Sequence, residues 1–245
     1  MLQRVGLQAL LILGFVSLFA GTGCIEITET IHFNADMNSG KMSVTYDMSK
    51  MQSMLAMLAG MDSTGQAEDP AAAMAKSFEE ESDTLVGAAG IRNVEFRSDT
   101  ENLLFTIAFE FDDINALNEA FARIREGDAD TRAFERKCRN KLVYSSGDSS
   151  PLGDEFDDDN SEKAGEDGEE EPSLEEQMEE NPFMKGMMED LVYRQVITFE
   201  DREVKKVKGG AKDYVVIEGN SMNLEIPMTE LIENPRPVEY TVKAK

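Results

Sequence analysis

Histidine is almost missing from this chain: His32 is the only one in 245 residues. Acid/base and nucleophilic catalysis depend on a base held within hydrogen-bond reach of a nucleophile, and His32 falls on the polar side of a strand pattern, as a surface residue does. Also missing are a Gly-x-Ser-x-Gly elbow and a Gly-rich loop running into Lys-Ser or Lys-Thr, which removes the usual serine-hydrolase and phosphate-loop signatures. Carboxylates abound but fall in exposed runs, so no paired acid and base stands out. We therefore expect no enzyme, no catalytic residues and no cofactor. Basic residues are scarce as well, 24 against 49 acidic, for a formal charge of −25. Such a body repels nucleic acid and anionic head groups, which leaves basic proteins and divalent cations as its electrostatic partners. After the first 24 residues no run is long and apolar enough to span a bilayer.

What is present begins at the N-terminus. Residues 1–24, MLQRVGLQALLILGFVSLFAGTGC, combine a short cationic start at Arg4, a largely apolar run from Val5 to Phe19 and small residues before Cys24, the layout of a secretory signal. The apolar run is shorter than the roughly 20 residues a spanning helix needs. Gly21-Thr22-Gly23-Cys24 resembles the lipobox of bacterial lipoproteins, with Gly21 where Leu is more usual. The resemblance implies cleavage before Cys24, diacylation of its thiol and a membrane tether, each acyl methylene adding about 0.8 kcal/mol of anchoring. Ile25 after the cysteine implies, by the same resemblance, release to the outer membrane with the body facing the periplasm. With Cys24 acylated, Cys138 has no partner within the chain. Its neighbours Arg136, Lys137 and Arg139 favour a thiolate if it is exposed, although a small inert side chain on a strand is the simpler reading.

In the remainder, which carries a charge of −26 once the first 23 residues with their single Arg4 are removed, period-two alternation marks strands. Ile25, Ile27, Ile31 and Phe33 alternate with Glu26, Thr28, Thr30 and His32, and Met42, Val44, Tyr46 and Met48 alternate with polar residues. Ala35 to Gly40 between them reads as a hairpin turn. A helical stripe of Met51, Met54, Leu55 and Leu58 follows. A second helix is expected from Asp69-Pro70, burying Met74, Phe78 and Leu85, and a third from Asp113, burying Ile114, Leu117, Phe121 and Ile124 up to Gly127. Strands are expected at about 91–97, 103–111 and 136–145. Residues 147–172, GDSSPLGDEFDDDNSEKAGEDGEEEP, have almost no apolar content and read as a disordered acidic linker. A capping box at Ser173 begins an acidic helix, and strands follow at about 191–200, 213–218, 222–228 and 237–243. The expected organisation is a signal peptide at 1–23, an α+β domain at 24–146, the linker at 147–172, and a helix plus β-rich segment at 173–245. The fold class is α+β, an antiparallel sheet packed against two or three helices, and the C-terminal segment forms either a small module or extra strands of the first core.

The segments ITETIHFNADMNSGKMSVTYDMSKM and GIRNVEFRSDTENLLFTIAFEFDDINALNEAFARI resemble uncharacterised envelope lipoproteins of Gram-negative bacteria, and the layout is more distantly similar to actinobacterial lipoproteins that handle mannosylated lipids. What this implies is an α+β envelope domain without site residues. The favoured function is a lipid-anchored, non-enzymatic binding or scaffolding module whose partners are the membrane through Cys24 and a basic envelope protein or lipid. The alternative is a carrier of an apolar ligand in a sheet–helix cavity lined by Phe105, Phe109, Phe111 and Phe121. A distant third is copper handling by Met48, Met51, Met54 and Met57; at three-residue spacing on a helix these turn 300° per step and do not converge, so no metal site is expected. Asp157 to Asn160 lacks the glycine and glutamate of a calcium loop. The basic cluster Arg132, Arg136, Lys137, Arg139 and Lys141 stands out before the acidic linker, either as a surface the linker shields or as an ordinary solvated strand face.

Overall fold

The computed structural model describes residues 26–52, 70–124, 133–146, 191–227, 229–230 and 238–245. Among the described residues, eleven strands form two sheets. The strands are β1 (Glu26–Phe33), β2 (Gly40–Asp47), β3 (Ile91–Asp99), β4 (Leu104–Phe111), β5 (Ala133–Cys138), β6 (Lys141–Ser145), β7 (Val192–Phe199), β8 (Val204–Gly209), β9 (Val215–Glu218), β10 (Ser221–Pro227) and β11 (Glu239–Ala244). The helices are α1 (Pro70–Asp83) and α2 (Ile114–Ile124). The larger sheet runs β3-β4-β2-β1-β7-β10-β9 and the smaller runs β5-β6-β11-β8. The fold is α+β.

Alternation builds both sheets. Along β1 every second residue is buried, Ile27, Glu29, Ile31 and Phe33, and β4 repeats the pattern with Phe105, Ile107, Phe109 and Phe111. These faces meet the inward residues of the smaller sheet, Phe134, Leu142, Tyr144, Tyr240 and Val242, in one continuous core. Phe33 is its centre, contacting Phe111 at 5.6 Å, Phe134 at 6.0 Å and Phe199 at 5.7 Å between ring centroids. In α2, Ile114, Leu117, Ala120 and Phe121 form the buried stripe, and Asp113 caps it by accepting from the Ala116 amide at 2.8 Å.

Several expectations change. There are two sheets rather than one, and one pair is parallel: β7 lies beside β1 in full register, Glu26 opposite Val192 through Phe33 opposite Phe199. A parallel neighbour needs a long crossover, and here the chain from Asn34 to Leu191, including β2 to β6, lies between β1 and β7. The choice left open for the C-terminal segment falls to added strands, since β7, β9 and β10 extend the first sheet while β8 and β11 extend the second. The single strand expected at 136–145 is the hairpin β5–β6, turned at Arg139-Asn140 with Cys138 opposite Lys141. The strand expected at 213–218 begins at Val215, its first two residues belonging to the 3-10 turn Gly210–Tyr214. The first helix appears only as the 3-10 turn Ser49–Met51, the rest of it lying outside the described residues, as do residues 1–25, the linker at 147–172 and the helix at Ser173.

In the β1–β2 turn the positive φ belongs to Met37, at 55° and fully buried. Gly40 serves closeness instead: a Cβ there would lie 2.0 Å from the His32 carbonyl oxygen and 2.8 Å from the Phe111 ring. Asp36 holds the turn by accepting from the amides of Asn38 (2.9 Å) and Ser39 (3.0 Å).

Candidate functional site

The outward face of the larger sheet is a map of rows set by register. One row crosses from Arg92 through Glu110, Lys41, His32, Thr198 and Ser221. The next carries small residues, Ala108, Ser43 and Thr30, then Val196 and Asn223, and the one after it Thr106, Thr45 and Thr28. Long charged side chains bordering short ones leave a hollow. It is an open depression of about 620 Å³, with Thr30, Ser43 and Ala108 low in it and His32, Lys41, Asn93, Glu95, Arg97 and Glu110 around it.

The rim depends on an irregularity in β3, an edge strand whose pairing to β4 slips between Arg92 and Glu95. Such bulges re-aim side chains, and Asn93 adopts φ of 52° there. Its amide donates to Glu110 Oε2 at 3.0 Å, and Lys41 Nζ lies 2.7 Å from Glu110 Oε1. The hydrogen bond from Lys41 is the main cause that holds the Glu110 carboxyl below its ordinary range, and the same bond raises the Lys41 ammonium. The rim therefore carries fixed charges of both signs through neutral pH. On the same face beyond the hollow, Thr45 and Thr106 share a hydroxyl contact at 3.1 Å, and Thr198 and Ser221 one at 2.9 Å. Thr and Ser hydroxyls both donate and accept, so the face suits a polar ligand or backbone. His32, expected at the surface, is half-buried in this rim.

The phenylalanines named as a cavity lining are all core. Phe105 stacks on Phe78 at 5.0 Å, and Phe78 lies 4.5 Å from Tyr46. Phe111 reaches Phe33, which reaches Phe134, which stacks on Phe121 at 6.1 Å. Phe109 is buried and its residue borders the outer depression. Phe111 and Phe121 thus share one aromatic chain, and Phe105 belongs to another. Cys24 lies outside the described residues. Cys138 is exposed, its thiol 3.3 Å from Asn140 Oδ1.

A buried polar cluster escaped the sequence-based expectations. Glu29 is on the inward side of β1, and its Oε2 accepts from Tyr193 OH at 2.7 Å and from Gln195 Nε2 at 2.9 Å. The Tyr240 hydroxyl of the smaller sheet donates to Gln195 Oε1, so the cluster fastens one sheet to the other. Its signal was visible: Glu29 sits between Ile27 and Ile31 on the apolar register of β1, where only a satisfied carboxylate can be buried.

Among the described residues no three of His, Cys, Asp and Glu gather as metal ligands, and no helix is long and apolar enough to cross a membrane. No family model, no curated protein and no solved structure matches this chain.

Proposed function

We propose that the chain is an envelope lipoprotein, tethered through Cys24 and facing the periplasm from the outer membrane, that works as a non-enzymatic binding module. The observation that supports a binding role best is the hollow on the outward sheet face, lined by Thr30, Ser43 and Ala108 together with His32, Lys41, Asn93 and Glu110. The tether fits the same geometry. Glu26 opens β1, a central strand of the sheet, and Cys24 precedes it by two residues in the sequence.

Labelling cells with radioactive palmitate and fractionating their envelopes tests the tether. The parent takes up label and sediments with outer membrane, whereas Cys24→Ala does neither; label and sedimentation retained by Cys24→Ala refute it. For the binding role, Ser43→Trp fills the hollow without touching the core, and loss of ligand retention by that variant in native mass spectrometry is the expected result. A lipid carried instead by the parent and by Ser43→Trp alike, and released on Phe121→Ala, would favour the carrier reading.

A further inference from the structure

Three lysines stand in one row across the outward face of the smaller sheet: Lys141 on β6 is directly opposite Lys243 on β11, which is directly opposite Lys206 on β8. Lys208 lies two residues along β8, opposite Thr241. No described residue forms an ion pair with any of the four, although acids outnumber bases two to one in the chain. The nearest acids are Glu135, one row away and paired with Lys137 at 3.7 Å, and Glu203, whose backbone pairs with Lys245 and whose carboxylate pairs with Lys205; Glu239 lies two rows off and accepts from Ser145 at 3.4 Å.

Lysine on an exposed edge guards against strand pairing, and that reading covers Lys206 and Lys208 on β8. It does not cover Lys141 and Lys243, whose strands are interior to the sheet. Like charges directly opposite each other destabilise a sheet, so the row is kept at a cost to stability, as binding surfaces are. We infer that this row is a docking surface for a short acidic polypeptide segment of a partner protein.

Spacing and position favour that occupant. Lys206 and Lys208 stand about 6.7 Å apart along β8, the repeat of alternate carboxylates along an extended peptide lying over that strand, and Lys243 and Lys141 follow from the side at about 4.8 Å per strand. Lysine is a compact charge without the planar fork that suits bidentate phosphate recognition. The patch is three strands wide, the width of a short segment lying across it. The row also lies far from the tether. Arg202 donates to both the Ala35 and Arg139 carbonyls, joining the β1–β2 turn to the β5–β6 turn. That end is separated from Glu26 by the length of β1, about 23 Å, so the lysine row lies toward the sheet end opposite the start of β1. Only the reading of that start as the tethered end rests on acylation of Cys24.

Fluorescence anisotropy of labelled decaglutamate with the full chain in non-ionic detergent tests the inference. Binding is expected to weaken at least about tenfold, 1.4 kcal/mol, in Lys141→Gln/Lys206→Gln/Lys243→Gln and to stay unchanged in Lys50→Gln/Lys76→Gln, with both variants retaining the parental circular dichroism. Equal loss in the two variants, or no binding by the parent, overturns it. Tighter binding of inorganic polyphosphate with the same lysine dependence overturns the polypeptide in favour of a phosphate polymer. Binding only after removal of residues 154–171 overturns an external partner in favour of the chain's own acidic stretch. None of these readouts involves the membrane, so a failed tether and a failed docking surface remain distinguishable.

Discussion

Removing the Tyr240 hydroxyl tests how the two sheets are joined. Gln195 is fully buried, and its side-chain oxygen accepts from Tyr240 while its amide donates to Glu29 and Tyr193. Tyr240→Phe keeps the ring, and with it the 5.0 Å stack on Tyr144, but leaves the Gln195 oxygen buried without that donor, at a cost of about 1–3 kcal/mol. Gln195→Leu takes a donor from the buried Glu29 carboxylate and costs more, about 3 kcal/mol or above, because the group deprived is acidic. The double variant should cost no more than Gln195→Leu alone, within about 0.5 kcal/mol, since the oxygen stranded by Tyr240→Phe is then absent. Urea unfolding followed by circular dichroism reads the difference: with a slope near 2 kcal/mol per molar, a loss of about 2 kcal/mol moves the midpoint by about 1 M. Strictly additive losses, or an unchanged midpoint for Tyr240→Phe, refute a hydrogen-bonded link between the sheets.

Gly40→Ala should lower stability by about 3 kcal/mol or more, because its methyl group meets the His32 backbone oxygen, which cannot rotate away; thermal unfolding checks it. Asp36 is held below its ordinary range: burial opposes the shift, and the Ser39 and Asn38 amides outweigh it. Its contribution is therefore present above the ordinary aspartate value of about 3.9 and lost as pH falls through the lower folded value, so the stability gap between parent and Asp36→Ala, about 1 kcal/mol at neutral pH, should close at strongly acidic pH in urea titrations. Lys243→Glu turns two repulsive cross-strand pairs into attractive ones and should raise stability by about 0.5–1 kcal/mol while abolishing decaglutamate binding; a destabilised variant contradicts the strain assigned to the lysine row.

Local alternation and capping make much of this protein legible in its amino-acid order. Ile27, Ile31 and Phe33 had to face a core, Asp113 had to cap a helix, and the run 103–111 had to be a strand, because each follows from the geometry of a single element. Glu29 was equally legible as a carboxylate on an apolar register, though its partners were not. β8 was invisible, since Val204-Lys205-Lys206-Val207-Lys208 offers too little apolar contrast to mark a strand. What lies far apart in the chain required the fold. The parallel match of β1 with β7, the hollow assembled from β1 to β4, the bond from Tyr240 to Gln195 and the alignment of Lys141, Lys243 and Lys206 all depend on register between strands, and register is fixed by how whole faces bury against each other. The sequence alone determined which face of the strongly alternating strands is buried and which cysteine follows a lipobox-like run; the tertiary structure decided which strands are neighbours, and so which side chains share a site.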